Sequence, residues 1–120
     1  MNRLAALLFS ILIPIPCVAA GSWDGIYFCN LAVAGQKAQQ YITINGQPDG
    51  RAIFVAAAVS QYTEFYGYGI GQIVGNVFSG NTMFAQPFRM VATSSGFSGS
   101  IGIVIEDTPF SGTALCSKIW

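Results

Sequence analysis

Two cysteines, Cys29 and Cys116, stand near opposite ends of the part of the chain that is dense in strand-forming residues. If they are joined, the first and last strands must lie close together, with Cα atoms within about 7 Å. A meander rolled until its ends meet satisfies that condition, and so does a two-sheet sandwich. The compartment is what makes the bond an expectation. Met1–Asn2–Arg3 gives a basic start, Leu4 to Ile13 an apolar run, and Val18–Ala19–Ala20 small residues suited to cleavage. This is the three-part layout of a secretory signal peptide. Residues 1–20 are therefore expected to be removed, leaving 21–120 as a single all-β domain exported to the periplasm or extracellular space, where disulfides persist. The apolar run is far shorter than the ~20 residues of a membrane-crossing helix, so no transmembrane helix is expected. Lipidation at Cys17 is disfavoured, because Pro16 stands where a lipoprotein peptidase takes a small residue.

The expected domain is marginal on hydrophobic burial alone. A Cys29–Cys116 bridge would add roughly 4–5 kcal/mol by limiting the unfolded chain. Beyond the leader the charges are sparse and nearly balanced, four basic against five acidic side chains. No basic stripe exists to hold a phosphate backbone, so nucleic acid is not an expected partner.

Short runs rich in Val, Ile, Phe, Tyr and Thr are punctuated by Gly, Asn, Asp and Pro. They predict eight strands: Trp23–Val33, Gln39–Asn45, Arg51–Val59, Tyr66–Val74, Val77–Thr82, Gln86–Thr93, Gly96–Glu106 and Phe110–Ile119. The Ala32–Gln40 stretch reads equally as loop or short helix. Phe-Ser-Gly occurs at Phe78–Gly80, Phe97–Gly99 and Phe110–Gly112. In an extended chain each Phe shares a face with its Gly, an arrangement suited to a sharply curved sheet. Together with the cysteines this favours a small antiparallel up-and-down β-barrel closed by a disulfide between first and last strands, with a sandwich as the alternative.

Chemistry is thinly represented. There is no histidine, which removes Ser–His–Asp and Cys–His catalysis and His-ligated metals. Two cysteines cannot complete a zinc site, so no metal or cofactor is expected. Glu106 and Asp107 read as a solvated turn, and Glu64 has no acid–base partner. Gly67–Gly75 lacks both the third glycine of the dinucleotide fingerprint and the lysine of a phosphate loop, and reads as a bent strand. The segment most suited to recognition holds Tyr62, Phe65, Tyr66 and Tyr68 beside glycines, because aromatics in such a setting give large contact area at low entropic cost.

Tyr27-Phe28-Cys29 near the start and Cys116 near the end resemble the small exported eight-stranded barrels that bacteria use to inhibit host lysozyme. The resemblance implies a barrel and a protein partner. The Ser-Gly-x-x-Tyr loop of those inhibitors is not reproduced, since Ser79-Gly80 is followed by Asn81-Thr82-Met83. The functional expectation is thus a non-enzymatic exported binding module for a protein or small apolar ligand. A structural or envelope-associated β-protein, self-assembling or in the outer membrane, is the alternative. It draws on the apolar runs Ala52–Val59 and Ile101–Ile105 and the terminal Trp120. About 100 residues is nevertheless short for eight crossing strands of 9–11 residues each.

Overall fold

The computed structural model describes residues 23–58 and 67–120. The leader 1–20 lies outside the described residues. So do Tyr62, Phe65, Tyr66, Glu64 and the ends of the third and fourth expected strands at Val59 and Tyr66. The chain forms a closed barrel of eight antiparallel strands in sequence order. They are β1 (Gly25–Val33), β2 (Gln36–Gly46), β3 (Arg51–Ala58), β4 (Gly67–Val74), β5 (Val77–Thr82), β6 (Pro87–Ala92), β7 (Gly96–Ile105) and β8 (Thr108–Lys118). The sandwich alternative is set aside: β8 pairs with both β7 and β1, so no sheet edge remains open.

The seam is stapled by Cys29 and Cys116, which face each other in the β1–β8 register with Cα atoms 4.1 Å apart. Both are buried and share the inward face of their strands with Tyr27, Leu31 and Ala114. The interior is apolar and, from the end where β1 starts to mid-barrel, aromatic. Phe78 packs edge-on against Phe88 at 4.9 Å, and Phe88 against Phe54 at 4.9 Å. Trp23, just ahead of β1, closes the lower end with its ring centroid 6.0 Å from both Phe78 and Phe97. Each such pair contributes about 0.5–1.5 kcal/mol beyond the area it buries.

The Phe-Ser-Gly repeats take the two roles their spacing predicts. Phe78 and Phe97 fill the interior, fully buried. Two residues on, glycine lets the neighbouring strand close in. A Cβ on Gly80 would run into the Ile70 carbonyl and the Gly71 Cα of β4, and one on Gly99 into the Arg89 carbonyl and Met90 Cα of β6. The sheet coils tightly here because nothing occupies those positions.

Two connections are tighter than expected. Ala32–Gln40 is neither loop nor helix: β1 and β2 run on to a two-residue turn at Ala34-Gly35, both with positive φ. The second strand therefore begins at Gln36 instead of Gln39. Likewise β7 and β8 meet at a two-residue turn, Glu106-Asp107, and Thr108-Pro109 belongs to β8. Pro109 is tolerated because it is exposed near the strand's beginning.

Candidate functional site

The barrel has two unlike ends. The lower end gathers the start of β1, the end of β8 and the β2–β3, β4–β5 and β6–β7 turns. It is tied by short bonds: Asp24 Oδ1 accepts from the Gly46 N–H at 2.6 Å, and the Tyr27 hydroxyl donates to the Trp23 carbonyl at 2.7 Å. Burial pushes the Tyr27 hydroxyl above its usual pKa of 10.0, and the Asp24 carboxylate adds to the rise. Its β2–β3 and β4–β5 turns place glycine where φ is positive, at Gly50 and Gly75. In the β2–β3 turn, the backbone N–H of Arg51 holds the Asp49 carboxyl below its ordinary range, and the guanidinium adds to this at 2.7 Å. Both groups are exposed.

The upper end gathers the β1–β2, β5–β6 and β7–β8 turns, the end of β3 and the start of β4. Among the described residues, every non-glycine residue with positive φ lies at this end: Ala34, Ala85, Glu106 and Asp107. Left-handed backbone costs an ordinary side chain roughly 1–2 kcal/mol, and such strain gathers where shape serves function.

Of the aromatic segment, Tyr68 is described. It is the second residue of β4, points outward and is 45% exposed. Its carbonyl accepts the N–H of Met83 at 2.8 Å, which draws the β5–β6 loop against the rim. Thr82 Oγ1 accepts from the N–H groups of Phe84 and Gln86, fixing that loop. The sequence reading missed Met83 and Phe84 at this rim.

It also missed the wall below. Val55 pairs with Tyr68, and Ile53 with Ile70, all on the outer face of β3 and β4. Each is more than a third exposed, as are Met83 beside Tyr68 and Tyr41 on β2. Apolar residues on both faces of β3 and β4 carried this signal, but an apolar run reads first as core. Across β5 to β8 one outward row is Ser79, Arg89, Ser100 and Thr113, and the next is Val77, Val91, Ser98 and Leu115, paired strand to strand. Arg51 and Arg89 are both exposed, as their strand positions predict.

Beneath the upper rim lies a cavity of about 30 Å³, lined in part by Leu31, Gln40, Phe54, Ala56, Ile101 and Ile103. That is space for about one water. Gln40 is a buried polar residue among these apolar walls. Cys29 and Cys116 are consumed by their mutual bond. Among the described residues no three His, Cys, Asp or Glu side chains cluster so as to hold a metal ion, and no helix is long and apolar enough to cross a membrane.

No family model matches the chain, and no curated protein matches it. Among solved structures it is similar to a redesigned β-barrel, with a TM-score of 0.60 over 89% of this chain and 100% of that one. The identity is 11%, so the likeness concerns architecture alone: the chain has the closed eight-stranded barrel fold.

Proposed function

We propose that this is an exported, non-enzymatic binding protein that recognises a protein partner at the upper end of its barrel. The observation that carries the reading is Tyr68, outward on β4 and bonded through its carbonyl to Met83. It sits at the end where the strained turns gather, and it follows Tyr62, Phe65 and Tyr66 in the sequence. Exposed tyrosine and methionine on a rigid frame suit protein recognition. A small apolar ligand inside the barrel is a poorer fit, since the lower interior is filled by aromatic rings and the upper cavity holds about 30 Å³. The disulfide is consistent with an oxidising, exported location.

An outer-membrane barrel is less well supported. Such barrels turn an apolar band to lipid all round and keep a polar interior. Here the interior is apolar, and the outer face carries a polar row, Ser79, Arg89, Ser100 and Thr113, across four strands.

The test is a photo-reactive phenylalanine analogue placed at position 68, or at 100 on the polar wall, and activated in the native host. A discrete adduct with one other protein from position 68, absent from position 100, is the expected result. Equal labelling from both positions, or none from position 68, contradicts the assignment.

A further inference from the structure

We propose that the outer face of β3 and β4 is the contact surface of a two-fold dimer of this chain. The face shares Tyr68 and Met83 with the recognition surface above and extends from them to Ile53, Val55 and Ile70; it is measured with the purified protein alone, so the two readings fail separately.

The face is a compact apolar centre within a polar border. Ile53, Val55, Tyr68 and Ile70 form two adjoining cross-strand pairs, with Met83 and Tyr41 beside them. Thr43, Asn45 and Asn81 continue the same rows on β2 and β5, and Gln72 follows Ile70 along β4. Summed over the six apolar residues, the exposed surface is roughly 600 Å², at the upper limit for a typical monomer's largest apolar patch. That is three-quarters of the ~800 Å² per partner in a standard interface, and the polar border supplies area for the rest.

Two further observations favour a second copy as the occupant. The apolar centre contains no charge, so it meets its own image without like-charge repulsion. The nearest guanidinium, on Arg51, is turned to Asp49 at 2.7 Å. Barrel closure leaves no strand edge to extend, so association must be face to face. On β5 to β8 the outward row Ser79, Arg89, Ser100 and Thr113 is polar and the row Val77, Val91, Ser98 and Leu115 partly apolar; a self-complementary contact centred on β3 and β4 is isologous and closes at two.

Sedimentation equilibrium of the protein purified from its native host, from about 1 μM to about 1 mM, tests this. An interface of this size is expected to dissociate with a constant on the order of 10–1,000 μM. Ile70→Lys and Val55→Lys, both at exposed positions, should each weaken association more than about tenfold by placing a charge in the apolar contact. Ser100→Lys should leave it within about twofold. Near-ultraviolet circular dichroism identifies any variant that has lost its packing. A mass that stays monomeric throughout overturns the proposal, as does equal weakening by Ser100→Lys.

Discussion

Cys29 and Cys116 occupy directly opposite positions on β1 and β8, and their bond lies inside the barrel at the strand seam. The bond joins residues 87 apart in sequence, so its removal frees a long loop in the unfolded state. Replacing both cysteines with alanine is expected to cost about 2–5 kcal/mol. Urea denaturation checks this through the midpoint of unfolding.

The coil of the sheet depends on glycine at the end of the Phe-Ser-Gly repeats. Gly80→Ala places a methyl against the Ile70 carbonyl and Gly71 Cα, backbone atoms that cannot turn aside. The expected loss is about 1–3 kcal/mol. The neighbouring Ser79→Ala, at an exposed position, should stay within about 0.5 kcal/mol. Thermal unfolding of the two variants separates a backbone effect from a general intolerance of β5.

The turn at Glu106-Asp107 has positive φ at both residues, the backbone that Asn-Gly adopts most readily. Glu106→Asn with Asp107→Gly is therefore expected to stabilise the barrel by about 1 kcal/mol. A higher midpoint in chemical denaturation is the outcome to look for.

The Tyr27 hydroxyl is held above its ordinary pKa of 10.0, first by burial and then by Asp24. Above pH 10 the unfolded chain loses this proton before the folded one does. Stability is therefore unaffected by this group at lower pH and falls as pH rises from 10 through the folded value. Tyr27→Phe should remove that part of the slope while losing the hydrogen bond to the Trp23 carbonyl. Denaturation midpoints between pH 8 and about pH 11 compare the two proteins.

Much of the fold was legible because the strand pattern is local. Alternation of Phe78 with Gly80, or Tyr27 with Cys29, identifies an inward face without knowledge of any neighbour. Two turns were less legible. Ala34-Gly35 lacks the usual Asn or Asp, and Pro109 set the expected start of the last strand at Phe110, although the turn ends at Asp107. The outer wall of β3 and β4 was hidden for a different reason. Ile53 and Val55 alternate with Phe54 and Ala56 in one apolar run, and only closure of the barrel assigns the former outward. Tyr68 was identified from its aromatic setting, but its link to Met83 needed the β4–β5 register.

Intact mass spectrometry of the protein recovered from its native host, before and after reduction, tests the central claim most directly. An exported barrel closed by one internal bond predicts a mass beginning at Gly21 that rises by about two hydrogens on reduction. A mass that retains residues 1–20, or that is unchanged by reduction, would contradict it.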